Sequence, residues 1–162
     1  VATNEEGEIL VRGSNIMQGY LDRPDETAKT ITTEGWLRTG DLGRMDKDGY
    51  IFVTGRIKEL IIKGGENIAP REIDEALLEH EAVLEAAAFP RACKDYGQRV
   101  EACVCLKKGR YVSENELREF CEGLIGAYKT PDNIYFLDDL PKGPSGKVQR
   151  MKLIDLTLLV NT

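Results

Sequence analysis

The chain has 162 residues, 41% hydrophobic and 31% charged, as expected of a soluble globular chain of one medium or two small domains. Its net charge of -6 argues against a nucleic-acid partner, which calls for a basic face. No apolar run reaches the roughly 18 residues that span a bilayer. The opening Val1-Ala2-Thr3-Asn4-Glu5-Glu6 has neither a basic region nor an apolar core, so it does not read as a signal peptide. It also lacks a starting Met, as expected of a fragment or a processed piece.

The first stretch, to residue 57, is rich in turns and short apolar runs. Glu8 to Arg12 reads as a strand ending at Gly13. Pro24 to Thr33 reads as a short helix, with Asp25 and Glu26 in the first turn where the helix dipole favours acids. Asp46-Lys47-Asp48-Gly49 is a hairpin signal joining Leu42–Met45 to Tyr50–Thr54. So few strands with so little apolar material are not expected to close a core alone.

From Gly55-Arg56-Ile57-Lys58 onward the text changes from β-only to mixed, which marks a hinge. Leu60 to Lys63 is a short strand before Gly64-Gly65. Ala69 to His80 is a helix with Pro70 in its first turn and Ile73, Leu77 and Leu78 on one face. Val83–Phe89, Val100–Lys107 and Ile134–Leu137 are strand candidates. Ser113 to Gly123 opens with a capping box, Ser113 followed by Glu116. Arg150 to Val160 is a terminal helix. The fold class is α+β: a small mixed domain with a short sheet flanked by helices, preceded by a β-rich segment.

The four cysteines, Cys93, Cys103, Cys105 and Cys121, read as reduced thiols. In a strand Cys103 and Cys105 share one face, as small buried hydrophobes do. With only His80 beside them, no metal site is expected.

Three segments carry chemistry. Thr39-Gly40-Asp41 reads as a turn that projects an acid; its carboxylate can accept hydrogen bonds from a ribose diol or simply cap its own backbone. In Gly55 to Ile73, Arg56 offers a fixed fork of donors to a phosphate or ribose, and Gly64-Gly65 lets an extended ligand approach the backbone. Alternatively this is a hairpin before a helix, with Arg56 solvated. Pro141 to Arg150 sets Lys147 in a Gly/Pro loop. It is not a phosphate-binding P-loop, because Gly143 and Gly146 are too close and Val148 follows the lysine. The lysine is either solvated or delivered to a phosphate by a mobile loop.

In this order and spacing the segments resemble the adenylate-forming superfamily of acyl-CoA synthetases, firefly luciferase and peptide-synthetase adenylation domains. Gly7 to Gly13 with Gly19-Tyr20-Leu21, Gly35-Trp36 to Asp41, Gly55-Arg56 to Ile73, and Pro141 to Lys147 match four successive motifs. The resemblance implies the C-terminal portion of an acyl-CoA synthetase. Residues 1–57 would end the large N-terminal domain, and residues 58–162 would form the mobile lid.

Such enzymes couple a carboxylic acid to ATP, release pyrophosphate, and pass the acyl group from AMP to CoA. The resemblance puts Asp41 and Arg56 at the ATP ribose, Lys58 at the hinge, Gly64 and Gly65 on the pantetheine tunnel, and Lys147 between substrate carboxylate and α-phosphate. It puts Tyr96 beside the CoA nucleotide, with a half-buried surface tyrosine as the alternative, and Lys129 near the CoA phosphates. ATP, CoA and a carboxylic acid are the implied ligands, with Mg2+ accompanying ATP on residues outside this chain. The N-terminal domain is the implied intramolecular partner, the compartment is cytoplasmic, and the fragment alone is expected to be inactive. Acetylation of Lys147 would erase its charge. A carrier-loading peptide-synthetase domain is an alternative, although Ser145 stands where that class usually has Asn. A non-catalytic binding module is another, against which Asp41, Arg56 and Lys147 argue.

Overall fold

Alternating residues and tight turns organise the first 58 residues into a ribbon. The computed structural model describes residues 2–160, with side chains through residue 158. Strands β1 (Gly7–Val11), β2 (Leu37–Met45) and β3 (Ile51–Arg56) form an antiparallel sheet in that order, with helix α1 (Pro24–Thr30) between the first two. Pro24 starts α1 where its missing N–H costs nothing, and Asp25 and Glu26 occupy the first turn. The β2–β3 turn is pinned by Asp46 Oδ1, which accepts from the Asp48 and Tyr50 amides at 2.9 Å each. Among the described residues of this ribbon no hydrophobic side chain is buried; Leu21 is 90% exposed and Ile51 60%. Three strands with one short helix cover their apolar residues at most in part, as the half-buried Ile9, Trp36 and Leu42 show.

The chain divides into two compact units, Val1–Lys58 and Glu59–Thr162, one residue later than the boundary read from the sequence. The second unit begins in a 3₁₀ turn, Ile57–Glu59, and holds a five-stranded sheet. Strand β4 (Ile61–Lys63) turns into β5 (Glu66–Ile68), and helix α2 (Pro70–Leu78) follows. The long strands β6 (Val83–Cys93) and β7 (Gly97–Leu106) pair antiparallel. After helix α3 (Glu114–Ile125), strand β8 (Asn133–Phe136) joins β7 in parallel, and helix α4 (Lys152–Val160) closes the described chain.

Strand β6 runs through Pro90, where the sequence reading ended it. It lies at the sheet edge, where a proline need not donate to a second neighbour. Residues 66–68, unassigned from the sequence, form β5 because two glycines fold them back onto β4.

Strand β7 separates two apolar clusters. Val100, Ala102 and Val104 face one, with Ile73 and Leu77 of α2 and Leu117 and Cys121 of α3. Cys103 and Cys105 face the other, with Phe89, Leu140 and Leu153. Burial pushes the Cys103 thiol up to about 12 and Cys121 to about 11, so both stay protonated. Ser113 Oγ accepts from the Glu116 amide at 3.3 Å and caps α3.

Among the described residues two charged side chains are buried, Lys63 and Glu101, and Glu101 on β7 is the fully enclosed one. Arg91 Nε donates to Oε2 at 2.7 Å, and Arg99 Nη2 and Asn133 Nδ2 meet Oε1 at 2.7 and 3.1 Å. Desolvation alone would raise its pKa. The hydrogen bonds from Arg91 and Asn133 outweigh it and hold the carboxyl below its ordinary 4.5. A depressed folded pKa stabilises above the unfolded value, and that contribution is lost as pH falls through the folded value. Glu101→Gln should therefore cost about 3 kcal/mol at neutral pH by stranding two arginines. The gap to wild type should narrow below about pH 4.5 in urea titrations run across pH. A second measurement addresses the units: residues 59–162 alone should unfold cooperatively at the wild-type midpoint, read by circular dichroism.

Candidate functional site

In the first unit, Thr39-Gly40-Asp41 is not a turn but a bulge inside β2. The register jumps from Glu8↔Leu42 to Leu10↔Arg38, so three residues of β2 oppose Ile9 alone. Thr39 Oγ1 donates to the Ile9 carbonyl at 2.7 Å and accepts from the Asp41 amide at 3.0 Å. Gly40 takes a φ of +71°, and its amide donates to Glu8 Oε1 at 3.2 Å. The bulge aims Asp41 across the ladder at its partner Arg56, whose Nε lies 2.8 Å from Oδ1.

That pairing occupies one carboxylate oxygen and leaves the other for a hydroxyl pair. Arg56 and Lys58 line a cleft of about 440 Å3 with Tyr20, Lys29 and Arg38. Lys29 is paired with Glu26 and Arg38 with Glu8, while Lys58 is exposed. Arg56 thus meets Asp41 on one side and shares a cleft with Lys58 on the other.

In the second unit, Gly64 and Gly65 form the two-residue turn between β4 and β5, with φ of +57° and +90°. A Cβ on Gly64 would lie 2.9 Å from the Tyr128 hydroxyl and 3.4 Å from the Tyr96 ring; one on Gly65 meets nothing. Tyr128 locks the turn from behind. Its hydroxyl donates to the Lys63 carbonyl at 2.5 Å, and Lys63 Nζ donates to the Tyr128 carbonyl at 3.0 Å. Desolvation, with Glu66 and Tyr96 nearby, holds the Tyr128 phenol above its ordinary 10.0.

Beside the turn a cleft of about 670 Å3 is lined by Lys63, Cys93, Tyr96, Arg99 and Tyr128. The sequence reading included Tyr96 but missed Lys63, Arg99 and Tyr128. Arg99 is aimed by the buried Glu101, as is the lining residue Asn133. The cleft thus sets two aromatic rings beside two cations, Lys63, which also stands 3.8 Å from the lining acid Asp132, and Arg99, which is paired with Glu101. Lys129 does not line this cleft. Its Nζ lies 2.6 and 2.8 Å from the two oxygens of Glu72 on α2. The signal for Tyr128 was its place one residue before the lysine, but only folding brings residue 128 to residue 64.

Lys147 sits on a tight tip. Lys142 and Val148 bridge in antiparallel fashion, the Gly143 amide donates to the Lys147 carbonyl at 2.8 Å, and the Gly146 amide to the Gly143 carbonyl at 2.9 Å. Gly146 has φ +77°. The Lys147 side chain is exposed and forms no ion pair among the described residues. It is a solvated point charge, unlike Lys142 nearby, which meets Glu85 and Asp139 at 2.7 and 3.2 Å. No group of three metal-ligating side chains occurs among the described residues. No described helix is long and apolar enough to cross a membrane.

Residues 72–147 match the family of AMP-binding enzyme C-terminal domains. The chain belongs to the adenylate-forming superfamily. It is 54% identical over 149 residues to the sulfoacetate–CoA ligase of Cupriavidus necator, covering 92% of this chain and 29% of that enzyme. It is 46% identical over 152 residues to the 2-succinylbenzoate–CoA ligase of a Geobacillus species, covering 94% and 31%. The ATP-bound structure of MatB from Rhodopseudomonas palustris superposes with a TM-score of 0.92 at 32% identity, over all of this chain and 32% of that one. The chain thus spans about 30% of the length of the curated relatives it matches.

Within this superfamily member the glycine turn makes a graded prediction. Gly65→Ala adds only left-handed backbone strain, about 1 kcal/mol. Gly64→Ala adds the Tyr128 clash and should cost more, and Tyr128→Phe in the same chain should recover part of the excess. Urea midpoints of the four proteins check this.

Proposed function

We propose that this chain is the C-terminal part of an ATP-dependent acid–thiol ligase, which activates a carboxylic acid as acyl-AMP and transfers the acyl group to CoA. Residues 1–57 end the large N-terminal domain and residues 58–162 form its mobile lid, with Lys58 at the hinge. The observation that carries this reading is Lys147: an exposed, unpaired lysine on a hairpin tip, in a chain whose relatives over 92% of its length are CoA ligases. The missing core of the first unit supports it too, since a ribbon without buried apolar residues needs a larger body to cover it.

The chemistry divides between the units. In the first half-reaction a carboxylate oxygen attacks the α-phosphorus of ATP, and the bond to pyrophosphate breaks. Both reactants are anionic, so a cation between them stabilises the charge that builds up. Lys147 supplies it as a compact ammonium. Asp41, held by Arg56, accepts from the ribose hydroxyls. In the second half-reaction the CoA thiol displaces AMP. Its pantetheine arm passes Gly64 and Gly65, and its nucleotide end rests in the cleft of Tyr96, Tyr128, Lys63 and Arg99. Lys129, tied to Glu72, stands outside that cleft and reaches a CoA phosphate only by leaving its partner. Mg2+ travels with ATP, on ligands outside this chain. The fragment alone is inactive, because the phosphates and the acyl group are held by residues elsewhere in the enzyme, and the compartment is cytoplasmic.

The test uses the full-length protein with acetate, sulfoacetate and 2-succinylbenzoate as acids. Lys147→Ala should lower ATP-dependent pyrophosphate release roughly 10²–10³-fold while sparing thioester formation from supplied acyl-adenylate and CoA. Equal loss of both half-reactions would sink the assignment.

A further inference from the structure

A loop of glycine, proline and serine has no packing of its own to fix its tip. Residues 144–147 are exposed, so whatever places Lys147 must act on the legs of the loop. The outgoing leg is held by Lys142, whose ion pair with Glu85 is about one-third exposed on both sides and therefore a weak tether. The returning leg is different. Val148 packs on the second apolar cluster, and the Gln149 amide donates to the Pro141 carbonyl at 2.7 Å.

Arg150 then turns inward, its side chain only 15% exposed. Its fork meets the Asp74 carboxylate of α2 side by side, Nη2 to Oδ2 at 2.8 Å and Nη1 to Oδ1 at 3.2 Å. Nη1 also donates to the Ala88 carbonyl of β6 at 2.6 Å. Asp74 Oδ1 accepts from the Ala88 amide, again at 2.6 Å. The third nitrogen, Nε, lies 3.6 Å from Glu59, the first residue of the second unit. One guanidinium therefore ties the leg of the Lys147 loop to α2 and to β6, while its buried Nε stands near Glu59 without hydrogen bonding it. Only a planar fork makes these contacts together; a lysine would keep one.

We propose that Arg150 is a positioning residue for adenylation: clasped to Asp74, it fixes the root of the Lys147 loop to the body of the second unit, so that the ammonium moves with that body as one piece. This rests on the ligase reading above. Two residues, Val148 and Gln149, separate the clasp from Lys147, so freeing the leg loosens the tip without touching any group that meets substrate. A misplacement of about 1 Å costs on the order of 10²-fold in a positioned reaction. The thioester step does not use Lys147 and has no reason to respond.

The experiment compares Arg150→Lys, Arg150→Met and Asp74→Asn with wild type in the full-length protein. Hydrogen exchange of peptides spanning residues 141–149 reads the loop directly, and melting curves report folding. Pyrophosphate release is followed with whichever of the three acids the wild type activates, and thioester formation with the supplied acyl-adenylate. The clasp predicts faster exchange confined to residues 141–149. It also predicts adenylation kcat falling roughly 10- to 100-fold in Arg150→Met with KM for ATP unchanged, partial recovery in Arg150→Lys, and an unchanged thioester step. Unchanged exchange in folded variants, or equal loss in both half-reactions, overturns it. Should Arg150→Met fail to fold, Arg150→Lys carries the same readouts. A wild-type protein that releases no pyrophosphate with any acid overturns the ligase reading and the catalytic role of the clasp together, whereas faster exchange would still establish Arg150 as the anchor of the loop.

Discussion

Strand β7 is buried on both faces from Val100 to Cys105, and three strands, β4, β6 and β8, pair with it. A strand with apolar clusters above and below cannot slip by one residue, because a slip would exchange the two sets of side chains. Its fixed register fixes the rest. At its start Gly97 pairs with Lys63 and so brings the glycine turn beside the sheet. Along one edge β6 carries Ala88, which Arg150 grips. Along the other β8 brings Asn133 up to Glu101. The cleft beside the turn and the root of the Lys147 loop belong to the same compact unit.

Much of this was legible because it is local. The Asp46–Gly49 hairpin, the Ser113 cap and the proline at the start of α2 each follow from the chemistry of a few consecutive residues. The alternation that put Cys103 and Cys105 on one face is a property of any strand. The four motifs in order made the superfamily visible from the sequence. What escaped depended on partners far along the chain. Thr39-Gly40-Asp41 has the composition of a turn, and only β1 on one side and β3 on the other pull it into a bulged strand. Pro90 ends a strand unless the strand is at an edge, and edge position is a tertiary fact. Lys129 was the attractive cation of its segment, yet Glu72 on α2 claims it, while its neighbour Tyr128 reaches the glycine turn.

The two units divide their physical tasks unequally. The second has two apolar clusters and satisfies its one fully buried acid with five donor contacts. The first has no buried apolar side chain among its described residues, and its order comes from ladder bonds, the bulge and turn caps. It is also where Asp41 and Arg56 meet, so their ion pair rests on an uncovered ribbon. Geometry that depends on backbone register alone stays accurate only while that register holds.

The distribution of thiols has a practical consequence. Cys103, Cys105 and Cys121 are buried and, where burial lifts the thiol to about 11 or 12, carry almost no thiolate at neutral pH. Cys93 is half-buried and lines the cleft next to Tyr96 and Tyr128. A maleimide dye added to the native chain would therefore attach at one position without any cysteine being removed. Its emission would report directly on whatever enters the space between the two tyrosines.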